Sequence, residues 1–369
     1  MKCMVNLLLH NLLNMFEKFR RKNNNEPMNS IAVWWDMNDN YKEGEVEVHL
    51  DVNIWHTNKS TDNYLEFGLK IKNYSMLEHI HIYIPYKINK EIIEDKAVIL
   101  ASNHSLTNAM FNERVKITKD DGRFHPVEFS STSRSFTYYE IDRDEDIEIM
   151  QNSIIKLKIN SKEGVDTIYY RFRINKIENI FTSISENYFL LDGIFKKTGF
   201  LEVNVNSLRK LPRKIVDKLD NIKFTSINLF IMTDNFTSLI FQSEKVNKSR
   251  ILENHIWKQY LSEENSKKIN KTIAYHWRKE EKKKNSEGID EIIPFDDYNL
   301  FVKLSYTSKN LVLLGLMIIS ILIVGALGGV AGNFMTKGID GLFVDNNVTI
   351  KICKENANFK QQGDQNGTK

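Results

Sequence analysis

The stretch Glu45-Val-Glu-Val-His-Leu-Asp-Val-Asn-Ile54 alternates apolar and polar side chains without a break. Successive side chains of a strand point to opposite faces, so this stretch predicts a strand with one apolar and one polar face. The same period returns over 65–71 and 80–84. These segments predict an antiparallel β-rich domain over residues 30–184, a sandwich or barrel with short helical pieces near residues 91–113.

A hairpin is expected near the end of this domain. Residues 155–159 and 168–174 both alternate, and the polar turn Ser161-Lys-Glu-Gly164 lies between them. Two alternating segments around a short glycine-containing turn are typical of a β-hairpin.

The pattern becomes mixed over residues 185–288, so the chain as a whole belongs to the α+β class. Strands are predicted over 201–205 and 224–232, and Ser207 could cap a short helix. Apolar residues at helical spacing predict a long helix from about Glu244 to Lys284.

Near the C-terminus, residues 311–331 form an apolar run, and no charged residue lies between Lys309 and Lys337. A helix of about 21 residues covers about 31 Å, the thickness of the hydrocarbon core of a bilayer. We predict a transmembrane helix over residues 310–336; a fully buried core helix is the alternative.

The segments beside this helix complete its predicted topology. Residues 289–309 are expected to be a juxtamembrane linker, and residues 337–369 a short polar tail. Without a cleavable signal, the bulk of the chain is expected in the cytoplasm and the protein in the inner (plasma) membrane, single-pass, with its C-terminus outside.

The membrane segment carries a pattern typical of helix association. Four glycines give two overlapping G-x-x-x-G spacings: Gly325, Gly328, Gly329 and Gly332. Small residues four apart allow close helix packing, which predicts a homo-oligomer; glycine tolerated on a lipid-facing surface is the alternative. The polar residues Ser320 and Asn333 would face a pore, if one forms.

The N-terminus predicts a separate amphipathic helix. Apolar residues recur at helical spacing over residues 1–22, which end in a basic cluster, and residues 23–29 are a polar linker. Such a helix could lie on a membrane surface, bind a partner subunit or pack on its own domain.

Composition excludes several classes of protein. A net charge of +3 argues against strong binding of duplex nucleic acid by the whole molecule. The two cysteines, Cys3 and Cys353, are too few and too far apart to indicate a disulfide framework or a cysteine metal cluster.

The chain contains no phosphate loop, dinucleotide fingerprint, nucleophile elbow or zinc-protease motif. We therefore expect no cofactor and no enzymatic activity; an enzyme without a recognisable motif is the alternative. His79 and His81 would share one strand face, as two metal ligands would require. Solvent-facing histidines are the preferred interpretation, and no metal site is predicted.

Two basic clusters are candidate anion sites. Arg171 and Arg173 share one face of a predicted strand, with Tyr170 on the other, and paired guanidinium groups suit phosphate. A second group follows Ser207: Arg209, Lys210, Arg213 and Lys214. The alternative is an ordinary polar sheet face and a solvated basic helix.

A domain without a catalytic motif, joined to a glycine-rich apolar helix at 311–335, resembles the membrane-disrupting effectors of bacterial anti-phage defence. The resemblance is one of layout, carried also by the pair Arg171 and Arg173. It implies a nucleotide or oligonucleotide trigger and assembly of the tail helices into an ion channel or a membrane-disrupting oligomer. A membrane-anchored scaffold, binding module or enzyme is the other class.

Overall fold

The fold is seen in a computed structural model. It describes residues 30–41, 44–55, 63–118, 122–177, 183–186, 196–235, 237–261, 272–284, 286, 288, 290–307 and 311–343. The N-terminal helix predicted over 1–22, its linker and most of the polar tail lie outside these ranges.

The described residues form twenty strands and five α-helices. The strands are β1 (Ala32–Met37), β2 (Glu47–Trp55), β3 (Tyr64–Lys72), β4 (Leu77–Tyr83), β5 (Ile93–Asp95), β6 (Val115–Ile117), β7 (Phe124–Phe129), β8 (Ser135–Tyr139), β9 (Ile147–Met150), β10 (Ile154–Lys158), β11 (Thr167–Ile174), β12 (Ser183–Glu186), β13 (Lys196–Val205), β14 (Ser226–Asp234), β15 (Thr237–Gln242), β16 (Lys248–Ile251), β17 (Thr272–Lys279), β18 (Glu281–Lys284), β19 (Asp290–Ile293) and β20 (Tyr298–Thr307). The helices are α1 (Ala97–Ser102), α2 (His104–Phe111), α3 (Arg213–Val216), α4 (Asn254–Trp257) and α5 (Leu311–Phe343).

A ten-stranded central sheet organises the domain. Its order is β16-β17-β14-β2-β3-β11-β8-β7-β6, and β5 also pairs with β11. Neighbouring strands are antiparallel except for β14 beside β2 and β8 beside β11, which are parallel. The predicted alternation of β2 therefore lies at the centre of the molecule.

Two smaller sheets share the core of the central sheet. The N-terminal sheet has the order β1-β4-β10-β9, and the C-terminal sheet has the order β12-β13-β20-β15. Apolar side chains from all three sheets form one buried cluster: Leu50, Val52, Phe67, Ile80, Ile82, Phe172, Leu201, Val203, Leu300 and Val302. This arrangement confirms the α+β class with a β-rich, sandwich-like domain.

The second face of the central sheet is also covered. Helices α1 and α2 and the segment 252–261 pack on it around a smaller apolar cluster. The helices confirm the prediction near residues 91–113. Because a second layer covers this face, polar residues that alternation assigns to solvent are buried there.

The predicted hairpin over 155–174 is wrong. Strand β10 pairs with β4 and β9 in the N-terminal sheet, whereas β11 pairs with β3 in the central sheet. The turn between them crosses from one sheet to the other, and the Tyr74 hydroxyl accepts a hydrogen bond from Lys162 N at 3.0 Å. Alternating apolar and polar residues fit a hairpin within one sheet and a crossing between two sheets equally well.

The predicted long helix over 244–284 is also wrong. The described part of this range contains β16, the single turn α4, β17 and β18. Ile273 and Trp277 are four residues apart, which fits a helix, but an even separation also places them on one face of a strand. The chain forms a strand here because β17 pairs with β14 in the central sheet.

The expected linker over 289–309 is instead largely strand. Strand β20 is central in the C-terminal sheet, and Leu300, Val302 and Leu304 alternate into the core. The short helix expected after Ser207 is divided into a 3₁₀ turn, Leu208–Lys210, and α3, because Pro212 caps the second piece.

The C-terminal helix α5 belongs to a second compact unit, residues 310–369, distinct from residues 1–309. Its segment Leu314–Thr336, 23 residues, is long and apolar enough to cross a membrane. Residues 318–336 are exposed. A buried core helix, the alternative considered above, would have these side chains buried.

Candidate functional site

The arginine pair predicted as an anion site lies on one face of β11, but it is not open to solvent. Arg171 and Arg173 are 2% and 1% exposed. Glu66 of β3 lies opposite them: Arg171 Nη2 donates to Glu66 Oε2 at 2.9 Å, and Arg173 Nε donates to Oε1 at 2.8 Å. The expectation of an accessible arginine pair is therefore corrected, because the carboxylate is built into the protein.

Tyr260 closes this cluster from the segment above the sheet. Its hydroxyl donates to Glu66 Oε2 at 3.0 Å and accepts from Arg171 Nε at 3.2 Å. Its main-chain oxygen accepts from Arg173 Nη2 at 3.2 Å. One residue of the covering segment thus contacts all three charged groups.

The cations around Glu66 oppose the effect of its burial. Burial alone would raise the pKa of this carboxyl, but the charges of Arg173, Arg171 and Lys96 outweigh burial and lower it. The carboxylate therefore stays ionised at neutral pH. Two buried cations held by one buried anion are costly to separate, since removing either sign leaves a charge without a partner.

The cluster continues across the sheet through Tyr169. The Tyr169 hydroxyl donates to Asp51 Oδ2 at 2.9 Å and accepts from Arg171 Nη1 at 3.1 Å. It passes directly over Gly68, where an added Cβ would lie 2.3 Å from the hydroxyl oxygen. An added side chain at this point of β3 would therefore force the polar groups above it to shift.

Beyond Asp51 the hydrogen bonds reach β17. Asn228 Nδ2 donates to Asp51 Oδ1 at 2.8 Å, and His276 Nε2 lies 3.0 Å from Asn228 Oδ1. Burial lowers the pKa of His276 to about 4, so the neutral ring donates from Nε2. We call this series of hydrogen-bonded side chains the polar row: His276, Asn228, Asp51, Tyr169, Arg171, Glu66 and Arg173.

A second histidine lies beside the polar row. His49 Nδ1 is 2.6 Å from Ser226 Oγ. Burial, with smaller effects of Lys70 and Arg278, lowers the pKa of His49 to about 3. A serine next to a neutral histidine is the start of a nucleophilic dyad, but Ser226 is 2% exposed. The pair thus joins β2 to β14 and does not present a nucleophile.

Lys70 is a partly exposed cation on this face. No hydrogen bond or ion pair joins its ammonium group to another described residue. Burial lowers its pKa; Asp51 acts against this, and Arg134 and Arg278 add to it. A partly desolvated ammonium without a paired carboxylate is a suitable contact for one negative group of a ligand.

The other predicted anion site lies at the surface. Arg209, Arg213 and Lys214 are exposed, whereas Lys210 is half-buried and forms an ion pair with Glu202. Ser207 makes no side-chain cap hydrogen bond. Three cations of the predicted group thus remain open.

Tyr170 lies on the opposite face of β11 from the arginines, as expected, and is fully buried in the main core. It therefore cannot stack on a ligand, because the side chain is enclosed by the core.

His79 and His81 share a face of β4, and both approach Asp36. His81 Nε2 lies 2.8 Å from Asp36 Oδ2, and its ring stacks on Trp34 at 5.0 Å. The solvent-facing interpretation is wrong for His81, which is buried. Over the described ranges, no group of three or more His, Cys, Asp or Glu could hold a metal ion.

In the membrane-length segment of α5, the four glycines are exposed, and an added Cβ at any of them meets nothing within 4 Å. Asn333 is exposed. Ser320 Oγ donates to the main-chain oxygen of Met317 at 2.8 Å. This hydroxyl is therefore satisfied within its own helix.

No protein-family model and no curated protein matches this chain. Among solved structures, it is similar to "Crystal structure of Legionella pneumophila aminopeptidase A in complex with aspartic acid", with 8% identity and a TM-score of 0.25. The match covers 71% of this chain and 25% of the other, so this chain spans about a quarter of that protein's length. A structural similarity this low supports no inference about the fold or function of this chain.

Proposed function

We propose that this chain is a single-pass membrane protein whose cytosolic β-rich domain binds an anionic signal and whose tail helices assemble to permeabilise the membrane. A nucleotide or oligonucleotide is the ligand class, as in the anti-phage effectors of similar layout. The observation that carries the proposal is the exposed, uncharged helical segment Leu314–Thr336.

The apolar helix supports membrane insertion through its energetics. Its exposed apolar side chains include Ile321, Leu322, Val324 and Leu327, each at least 60% exposed. Each apolar side chain of this size left in water forfeits about 1.5–3 kcal/mol relative to burial. Lipid removes that cost along the whole segment.

Assembly is supported by the glycines of α5. An open strip of small residues four apart lets a second helix approach closely, and a helix that spans alone cannot enclose a pore. Several copies are therefore required for ion flux. Ser320, Asn333 and Thr336 are the polar side chains of the segment Leu314–Thr336, and we infer that Ser320 and Asn333 line the pore.

The ligand would bind on cations of the domain that are open to solvent. The exposed group Arg209, Arg213 and Lys214 is one such site, and the partly exposed Lys70, whose ammonium has no described partner, is a separate one. The polar row itself is excluded as a contact, because its arginines already hold Glu66.

The test is dye or ion leakage from liposomes that contain the purified full chain, with and without cyclic and linear oligonucleotides. Leakage that depends on one ligand supports a gated effector. Absence of leakage with inserted, folded protein would refute it and favour an anchored scaffold; turnover of a ligand would indicate an enzyme.

The assembly step has its own test. Gly325→Leu and Gly329→Leu should reduce the oligomer size in detergent and the leakage, while flotation with liposomes is unchanged. Leu327→Ile on the same helix is the matched control. An unchanged oligomer in both glycine variants would remove the glycine strip from the mechanism.

A further inference from the structure

A polar cleft of about 490 Å³ lies beside α2. The helix side of the cleft consists of Ser105, Asn108, Ala109 and Asn112. These positions are three or four residues apart, so they lie on one face of the helix. The cleft is also lined by Arg250 of β16 and Ile256 of α4. Small-molecule sites in proteins typically measure about 300–1,000 Å³, so there is room here for a ligand.

The two sides of the cleft are held together by hydrogen bonds. Arg250 Nη2 donates to the main-chain oxygen of Ala109 at 2.7 Å, and its guanidinium carbon lies 5.6 Å from the centre of the Trp257 ring. Asn103 Nδ2 donates to Gln259 Oε1 at 2.6 Å. Arg250 is half-buried, so its position is set before a ligand arrives, and no described acceptor takes its other N–H groups.

Arg114 is the second cation of the cleft. The chain reaches it through Asn112, whose φ of 54° lies in the left-handed region and ends α2. The main-chain oxygen of Arg114 accepts from Ser130 N at 2.9 Å, which fixes the backbone here. Its side chain is exposed, and no described residue accepts a hydrogen bond from the guanidinium group. All five of its N–H donors are therefore open to a ligand.

Two carboxylates also line the cleft, and the protein uses them differently. Glu113 Oε2 accepts from Arg134 Nη2 at 2.6 Å, so this charge is neutralised by an arginine outside the cleft. Glu253 is exposed, and one of its oxygens accepts from Trp257 Nε1 at 3.3 Å. Two guanidinium groups thus face one unpaired carboxylate, which leaves the cleft with a net positive charge.

The uncharged groups of the cleft are mostly donors. Asn108 Oδ1 accepts from Val115 N at 2.8 Å, which leaves the amide nitrogen of Asn108 to donate. Among the described residues, none is hydrogen-bonded to the side chains of Ser105 and Asn112. Amides and a serine hydroxyl suit the hydroxyl groups of a ligand, and Ile256 adds an apolar contact.

We propose that this cleft binds the phosphate monoester of a hydroxylated sugar, either a free sugar phosphate or a mononucleotide. A monoester carries nearly two negative charges at neutral pH, which match the guanidinium groups of Arg114 and Arg250, whereas a carboxylate carries one. The sugar hydroxyls bind the Asn108 amide and the Glu253 carboxylate. The site is separate from Lys70 and from the basic group at 209–214, and it requires neither the membrane span nor the pore.

Isothermal titration calorimetry of the full chain in detergent tests the site with two phosphate probes. Glucose 6-phosphate and AMP are compared with glucose and adenosine, which lack the phosphate. We expect at least one phosphate probe to bind and neither uncharged molecule to bind; the probe that binds identifies the source of the phosphate. Failure of both phosphate probes to bind at millimolar concentration, or equal binding of a probe and its uncharged counterpart, would overturn the proposal.

A substitution locates the binding in the cleft. Arg114→Ala should weaken binding of the phosphate probe about tenfold or more, because a charge-assisted hydrogen bond is lost. Arg114→Gln is a second variant, and tryptophan fluorescence checks that both fold. Lys116→Ala, which removes an exposed lysine 4.0 Å from Glu128, is the matched control and should leave the affinity unchanged. Full affinity in both Arg114 variants, or an equal loss in the control, would contradict binding in this cleft.

Discussion

The second face of the central sheet and the C-terminal helix place side chains in opposite ways. On the sheet, Glu66, Arg171 and Arg173 are removed from water, although they are charged. On α5, apolar side chains such as Leu322 and Val324 are exposed, although water disfavours them. In the sheet, each of these buried charges is balanced by an opposite charge within the protein. On the helix, no other described part of the protein covers the apolar side chains, so they require lipid around them.

This difference shows what each region requires. A buried ion cluster is satisfied by partners on β3, β11 and the segment 252–261, so it constrains the fold. An apolar helix of membrane length bonds its interior main-chain groups within itself, so along that interior it needs only lipid around it. Exposure or burial is therefore informative only together with the partner that each group has.

The largest effect should come from removing the central anion of the sheet. Glu66→Gln leaves two buried guanidinium groups without their carboxylate and should cost about 3–5 kcal/mol in the free energy of unfolding. Urea unfolding of the full chain in detergent, followed by tryptophan fluorescence, measures it. The control is Glu47→Gln, whose ion pair with Lys72 at 2.8 Å is exposed and should cost less than about 1 kcal/mol. Equal costs would contradict the comparison.

The corresponding change in the helix adds a charge where none is present. Ile323→Asp should oppose insertion by about 2.5–3.5 kcal/mol, because the charge would enter the hydrocarbon core. Alkaline extraction of membranes measures the inserted fraction. Val98→Asp, at an exposed apolar position of α1, should leave extraction unchanged; a loss in both variants would indicate general misfolding.

A smaller effect is expected where the polar row crosses β3. Gly68→Ala should cost about 1–3 kcal/mol, because the new methyl group displaces the Tyr169 hydroxyl from Asp51. The cost should be lower in a Tyr169→Phe background, which removes the nearest of the clashing atoms, while Arg171 Nη1 and Asp51 Oδ2 remain 2.9 Å from the added methyl group. Additive costs in this double-mutant cycle would show that the hydroxyl does not explain the need for glycine.

The smallest expected effect is the change in the free energy of unfolding per pH unit. The folded pKa values of His49 and His276, about 3 and 4, lie below the ordinary value of 6.5. The unfolded chain therefore binds more protons between these limits, and stability is lost as pH falls below about 6.5, by at most about 1.4 kcal/mol per pH unit for each histidine. His49→Gln and His276→Gln should each flatten this slope in urea titrations from pH 7 to 4. The exposed His255→Gln is the control, and an equal slope in all three would exclude the half-buried rings of His49 and His276 as its source.

The alternation of apolar and polar residues was sufficient to predict which side chains share a strand face. It could not predict which of those faces other parts of the chain cover. Ile227, Leu229 and Ile231 share one side of β14 and are buried, as predicted. The same rule placed Arg171 and Arg173 together on β11. It could not show their burial, because Tyr260 and Glu66 come from distant parts of the chain. Glu66 gave no separate signal, since a polar residue between Leu65 and Phe67 is what alternation requires.

Errors in the element types arose where two periods coincide. Ile273 and Trp277 fit both a helix and a strand, and only pairing of β17 with β14 decides between them. By contrast, the apolar segment 311–331 is helical as predicted, because its length and uniform composition leave no competing pattern.

The measurement that tests the central claim most directly uses the native cysteines on either side of the proposed span. In spheroplasts, single-cysteine forms made by Cys353→Ser and Cys3→Ser are treated with a membrane-impermeant thiol reagent. The account predicts that Cys353 is labelled in intact cells, while Cys3 is labelled only after permeabilisation. Labelling of both residues only after permeabilisation, or of both in intact cells, would contradict a helix that crosses the membrane once.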